Sequence, residues 1–450
     1  MTIRVGSWEG ASEVARDPAG YAQGVVRRLA ATGRRCALGE HAFPRARAGG
    51  NPCRVGVLAP LRVRPFALLW CGQAVSLTGN GVFTVALSWQ ALLLGGPRGL
   101  SLVLLATFVP STLLLLLGGV ASDRLSRRAV LVGCDLAQAA AVGLVAVLAA
   151  GGALRLWHLV ACGVVAGAAA GFFLPASTAL VPDLLPRELL VPANSLSTLT
   201  RLTCARLAGP ALGGVLVSSF APAVAFAADA ASFLVSAAAV AALRVTPRPL
   251  TSRGSAFEGL REGVAYCLSR RWLAGSFAAF AVLNLGASAP LGVLVPEYVR
   301  GHLGLDARAL GVLLACEGLG GGVAAVLAAR RPPRRLVVAT HVTFGGAGAF
   351  VALLGVVPSL VLAAVTLSCA GALLELGNVY WTSALQDRVP SDLLGRVSSV
   401  DWLVSGSLLP VGFAAVGAVS AATGAPAVFV AGGLAAAAAS ATAATALRRL

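Results

Sequence analysis

TALVPDLLPRELLVPANS at 178–195 recurs as TSALQDRVPSDLLGRVSS at 382–399. Setting Pro186 on Pro390 gives an offset of 204 residues and superposes a shared P-x-x-L-L step, with Leu189 on Leu393 and Leu190 on Leu394. At nearly the same offset RPFALLW (64–70) meets RRWLAGS (270–276). Two copies of one unit therefore follow each other in parallel register. A hydrophilic stretch, Arg244–Trp272, lies midway between them.

What surrounds the repeats is apolar. Of 450 residues, 57% are hydrophobic and 12% charged, and mean hydropathy is +0.84. A soluble domain carries about twice that charged fraction. There are too few ionisable side chains to clothe a soluble exterior, and the apolar content excludes a disordered chain. Fifty-three glycines without a three-residue period exclude collagen. The expected fold class is an all-α polytopic membrane protein. A helix needs about 20 residues to cross the hydrocarbon core. Runs of that length predict spans at 66–94, 100–121, 129–151, 156–180, 194–219 and 223–243, then 273–298, 308–329, 336–356, 358–385, 397–422 and 425–447. Twelve spans fall into two six-helix halves, 63–243 and 273–450, joined by a linker over 244–272.

Every basic residue is arginine, and formal net charge is +17. The arginines form short groups between apolar runs and no single stripe interleaved with aromatics, so a nucleic-acid partner is not expected. With the N-terminus inside, twenty arginines of the spans' flanks and linker fall on the cytoplasmic side. Arg98, Arg155, Arg300 and Arg308 alone fall outside. That bias predicts a multi-pass protein of the cell membrane with both termini cytoplasmic. Residues 1–62 hold arginine, Pro and Gly with no run long enough for a signal-peptide core, and read as a disordered cytoplasmic tail. In the linker, Phe257, Leu260, Val264 and Cys267 share one helical face, which predicts an amphipathic helix on the inner leaflet.

No catalytic constellation accompanies this pattern. Nine cysteines are scattered without a C-x-x-C pair, and His41, His158, His302 and His341 stand apart. Neither a disulfide framework nor a metal site is expected. A phosphate-binding loop needs a lysine, and the chain has none. The chain is expected not to be an enzyme and to need no cofactor.

The loop after the second span reads GGVASDRLSRRAVL (118–131). It resembles the G-x-x-x-D-R-x-G-R-R signature of the major facilitator superfamily through Gly119, Asp123, Arg124, Arg127 and Arg128, with Ser126 in place of the second glycine. Physically it is a latch: an acid capping a neighbouring helix N-terminus, and arginines reaching carboxylates and lipid phosphate. Such contacts exist in one conformer and bias the equilibrium toward it. The matching stretch of the second half, AARRPPRR (328–335), has no acid, so a one-sided latch is expected. In the fifth span Gly209, Pro210, Gly213 and Gly214 match the end of the pattern seen in exporters of the superfamily, with Ala205 at its earlier glycine. Proline removes a helix hydrogen bond and the glycines admit close neighbours, which makes a hinge.

Across residues 64–447 the chain is most similar to the branch containing enterobactin exporters and macrolide efflux proteins. LWCGQAVSLTGNGVFTVALSW (69–89), FFLPASTALVPDLLPRELL (172–190), GPALGG (209–214) and LLGRVSS (393–399) carry that resemblance with the loop. It implies proton-driven export of small hydrophobic or siderophore-like molecules by alternating access. The expected partners are such a substrate, protons and the lipid bilayer, and a monomer is expected. Importers of the same fold and a transport-inactive membrane scaffold or sensor are the alternatives.

Relatives often carry Asp after the first-span glycine, where this chain has Asn80, and a neutral amide exchanges no proton. Glu317 and Glu375, deep in the eighth and tenth spans, are the expected proton carriers, because a charge in hydrocarbon is costly and usually functional. Asp135, Asp229 and Asp401 lie nearer helix ends and are expected to pair with arginine. Arg201 and Arg206 would neutralise an acid or hold an anionic substrate. The resemblance puts the first, fourth, seventh and tenth spans around the cavity. Asn80, Phe83, Phe172, Phe173, Asn284, Asn378 and Trp381 are then its candidate lining. Asn80 and Asn284 again differ by 204.

Overall fold

The computed structural model describes residues 58–124, 126–243, 256–328, 333–390 and 393–448, excluding the side chains of 116–124, 256–260, Arg187 and Val191. The tail up to residue 57 and the first part of the linker lie outside them. Among the described residues all regular structure is helical, and eleven helices are long and apolar enough to cross a membrane.

The first of them, Arg64–Arg124, has 61 residues. Straight, it would be about 90 Å long, three times the hydrocarbon thickness. It is not straight. Gly96, before Pro97, has φ 61° and ψ −162°, a conformation glycine adopts at little cost and that breaks the helix. A Cβ on Gly99 would stand 3.2 Å from the Ala91 carbonyl oxygen, so the chain doubles back there. The two arms are the first and second expected spans.

The remaining spans follow in order: Arg127–Ala150, Leu156–Leu184, Pro192–Ser219 and Pro222–Ala241, then Arg271–His302, Ala307–Ala328, Leu336–Leu354, Leu360–Arg388, Leu394–Thr423 and Ala425–Leu447. The two sets pack alike. The third span lies on the sixth as the ninth lies on the twelfth, and the second meets the fourth as the eighth meets the tenth. Each set encloses its own core, one around Phe226, Phe233 and Leu159, the other around Phe280, Tyr298 and Phe429. Burial of such side chains against partner helices supplies the dispersion contacts that lipid alone does not.

Between the halves, contact gathers at the end opposite the arginine-rich loops. Phe108 and Phe413 meet edge to face at 5.2 Å, joining the second and eleventh spans. Arg308 donates to Ser219 Oγ at 2.6 Å, joining the eighth and fifth. A Cβ on Gly214 would stand 2.9 Å from the Ala307 carbonyl oxygen.

Two spans change winding just before a proline. The fifth is π-helical over Arg201–Ala208, ahead of Pro210, and the seventh over Asn284–Ser288, ahead of Pro290. Proline offers no N–H to the carbonyl four residues back, so the ladder slips by one and Gly209 N–H bonds Cys204 O instead.

The helix Ala256–Ser269 opens the second half. Gly263 and Cys267 are buried, Gly263 against Arg396 and Val400 of the eleventh span, and Glu262 pairs with Arg396 at 2.5 Å. Val264 and Leu268 are exposed. Of the apolar face expected to contact lipid, Cys267 instead packs within the protein.

Candidate functional site

Three charged residues meet where the halves touch at mid-membrane. Arg206 lies midway along the fifth span, Glu317 midway along the eighth and Glu375 midway along the tenth. Arg206 Nη1 is 3.9 Å from Glu375 Oε2, an ion pair between the two halves. The Glu317 carboxyl lies within the field of the same guanidinium. Two acids thus share one cation in a region where an isolated charge is costly.

Helix winding places them. Pro210 frees the carbonyls of Ala205 and Arg206, and both are received by glycines. A Cβ on Gly81 would stand 2.7 Å from Ala205 O, and one on Gly318 2.2 Å from Arg206 O. The hinge residues Gly209, Pro210, Gly213 and Gly214 are all buried, and Gly209 lies against Gly81 of the first span. The eighth and tenth spans cross as closely, with Ser368 donating to Cys316 O at 2.9 Å. That crossing sets Glu317 against Gly371.

The expected lining divides. Arg201 opens the π-helical turn and is exposed, Asn378 is exposed one turn beyond Glu375, and Asn80, Phe172 and Asn284 are half-buried. Three others point elsewhere. Phe83 packs edge to face on Phe226 at 5.9 Å inside the first half, and Phe173 joins the cluster of Leu69, Leu131 and Leu180. Trp381 is buried among Phe280, Phe277 and Trp272, and its Nε1 donates to Asp401 Oδ1 at 3.0 Å. Trp381 is a core residue rather than lining, whereas Phe83 and Phe173 are half-buried and pack against rings and aliphatic side chains of their own half.

Trp381→Phe tests that correction. It keeps the ring contacts and leaves Asp401 without its donor, so stability should fall by about 1–3 kcal/mol. Thermal unfolding in detergent measures it, and the KM of transport should stay unchanged.

At the arginine-rich end, Ser126 accepts from Ala129 N–H at 3.4 Å and caps the third span with φ −60°. That conformation needs no glycine, which accounts for serine at this place in the signature. Arg127 pairs with Asp183 at the end of the fourth span and donates to Ala179 O at 3.0 Å. Arg128 donates to Ala241 O of the sixth span. Asp183 was not singled out from the sequence, although it sits in the repeated stretch, opposite Asp387. The side chains of Gly119, Asp123 and Arg124 lie outside the described residues.

The expectation for Asp135 and Asp229 is corrected. Both are 0% exposed and neither meets an arginine among the described residues. Asp401 is held by Trp381 instead of by a cation.

Two parallel six-span bundles with a charged cluster at their mid-membrane junction define a multi-pass membrane transporter of the major facilitator type. The chain belongs to the transmembrane secretion effector family, whose model it matches over residues 55–449. It is a transporter and not an enzyme. The multidrug efflux pump Tap of Mycobacterium tuberculosis is 29% identical over 385 residues, 82% of this chain and 90% of that protein. The enterobactin exporter EntS of Citrobacter koseri is 28% identical, over 76% of this chain and 82% of that one. Among solved structures, a bacterial homologue of the human lysosomal transporter Spinster, inward-facing and unoccupied, has TM-score 0.66 at 15% identity. That superposition covers 86% of this chain and 97% of the other.

Proposed function

We propose that this protein is an efflux transporter that exchanges protons for a small hydrophobic or siderophore-like compound, with both termini cytoplasmic. The family supports the outward direction, as do relatives named as a multidrug efflux pump and an enterobactin exporter. Arginine-rich loops at one end support the orientation. One observation carries the coupling: Arg206 pairs with Glu375 across the junction of the halves, with Glu317 beside it.

The cycle follows from that pair. With the outer ends in contact, as at Arg308 and Ser219, Glu375 is paired with Arg206, and substrate enters from the inner side. When the fifth and eighth spans part at the outer end, Arg206 draws away from Glu375. A carboxylate left without its cation at mid-membrane takes a proton from outside. The neutral acid lets the halves return, the proton leaves inward, and the pair re-forms. One proton moves in for each outward passage. Arg201, Asn80, Asn284 and Asn378 are the proposed polar contacts in an otherwise apolar cavity. Arg127 with Asp183, and Arg128 on the sixth span, are proposed as the described part of the latch, firming the inner ends of the first half.

Glu375→Gln is the direct test. Everted vesicles of the wild type should accumulate a fluorescent substrate when the interior is acid. The variant should insert normally and lose that accumulation. Unchanged pH-driven uptake by Glu375→Gln would reject the coupling role, and uptake by right-side-out cells against a gradient would reject export.

A further inference from the structure

The sixth span carries Asp229, Ser232 and Ser236 at i, i+3 and i+7, which sets them in one stripe about 10 Å long. Asp229 and Ser236 are 0% exposed and Ser232 is 5% exposed. Ser232 Oγ is 3.3 Å from Asp229 Oδ1. Asp135 of the third span, also 0% exposed, lies beside Ser236 at the other end of the stripe. The four side chains make a column running from Asp135, about two turns into the third span, toward the middle of the sixth.

The column is buried and under-satisfied. Asp229 Oδ2, both Asp135 oxygens and Ser236 Oγ make no hydrogen bond among the described residues. The first span lines it with Gly72 and Gly79, which bring no charge. The titratable groups facing it are thiols: Cys162 of the fourth span near Asp229, and Cys134 beside Asp135 on the third. A thiol does not balance a carboxylate. A fully buried ionised carboxylate without a cation costs several kcal/mol, and two of them cost more. Neutral carboxylic acids avoid that cost. The acids are also spaced along the helix by two serines, too far apart to share the six to eight oxygens of one hard cation.

We propose that the column Asp135–Ser236–Ser232–Asp229 is a proton-binding site inside the first half, distinct from Arg206, Glu317 and Glu375. The first span is its cover. A Cβ on Gly79 would stand 2.1 Å from Ser232 Oγ and 2.5 Å from Asp229 Oδ1, so no side chain or water fits between them here. Two residues on, Gly81 is pressed against Gly209 of the fifth-span hinge. A single turn of the first span is thus held between the buried acid and the hinge, and movement at the hinge uncovers Asp229. Proton binding in the column does not depend on protons driving export. Its release during the transport cycle rests on that reading.

The test uses the full chain in lipid nanodiscs. At neutral pH the infrared spectrum should contain a protonated-carboxyl band, part of which is lost in Asp135→Asn and part in Asp229→Asn. Asp306→Asn, at an exposed loop acid, should leave the band whole. Asparagine is a neutral isostere of the protonated acid, so both variants should fold. A second measurement needs no variant: an apolar carbodiimide, mapped by mass spectrometry on the wild type, should modify Asp135 and Asp229 and spare Asp306. Bands unchanged in both asparagine variants overturn the site, as does a wild type unlabelled at both positions. The coupling reading fails separately. If Glu375→Gln keeps pH-driven efflux while the two bands are present, that reading falls and the column stands.

Discussion

Gly318→Leu is expected to give a transporter that inserts and folds but does not transport. Gly318 receives the carbonyl oxygen of Arg206, and even a Cβ would stand 2.2 Å from it, well inside van der Waals contact. The carbonyl belongs to a π-helical backbone fixed by Pro210, so it does not swing aside. Overpacking of this kind costs about 1–3 kcal/mol or more. Where the cost falls is decided by which parts can separate. Gly318 and Arg206 are in different halves, and the halves are meant to part, so the molecule escapes by leaving this conformer. A bias of that size shifts the equilibrium roughly 5–150-fold, enough to strand the cycle on the other side. Gly320→Leu is the contrast. A Cβ there would stand 1.9 Å from Ser368 O, within one half, where no alternative arrangement is available. It should fail to give folded protein. Thiol labelling of Ser219→Cys, placed in a cysteine-free background beside Arg308, reads the outcome. Gly318→Leu should make that outer position more accessible. Protection equal to the parent, with transport intact, would mean the fifth and eighth spans do not gate.

The architecture was legible because bilayer physics leaves few choices. Apolar runs of fixed length, arginine bias and one offset of 204 residues lead to twelve spans in two copies, and Gly96–Pro97 turns the chain between the first two. The Gly-Pro hinge was legible for the same reason, since proline acts through its own backbone. What the sequence hid was rotation. A span's residues can be listed without knowing which of its faces meets which neighbour, and an aromatic facing a cavity is spelled like one facing the core. Phe83, Phe173 and Trp381 illustrate this: each lies on a span the resemblance puts around the cavity, and each points into its own bundle. Asp135 and Asp229 were misread through depth. Distance from a helix end suggested reach to an arginine, but 0% exposure depends on the third and sixth spans packing face to face. In the sequence Gly79, which faces Asp229, stands out only as the glycine before Asn80.

Removing Arg206 should be worse than removing either acid it serves. Arg206→Leu leaves Glu317 and Glu375 with no cation at mid-membrane, whereas Glu375→Gln leaves Arg206 still balanced by Glu317. In a fully buried pair, loss of one partner costs about 3–5 kcal/mol. Here the Arg206 side chain is 55% exposed, so in this conformer screening reduces the loss to on the order of 1 kcal/mol. The larger effect is on the cycle, because without Arg206 no cation re-forms the pair as the halves return and the proton is not released inward. Arg206→Leu is therefore expected to insert at nearly normal levels, lose little melting temperature and lose all net efflux. Glu375→Gln should keep substrate binding and lose pH-driven accumulation. The double variant Arg206→Leu/Glu375→Gln restores the charge count to one acid without a cation, so its melting temperature should recover toward wild type while net efflux stays absent. Stability and transport then separate, which a purely structural ion pair does not allow: for such a pair, regaining stability would regain activity. Transport restored by the double variant would identify the pair as a brace of the junction and move the proton to another acid.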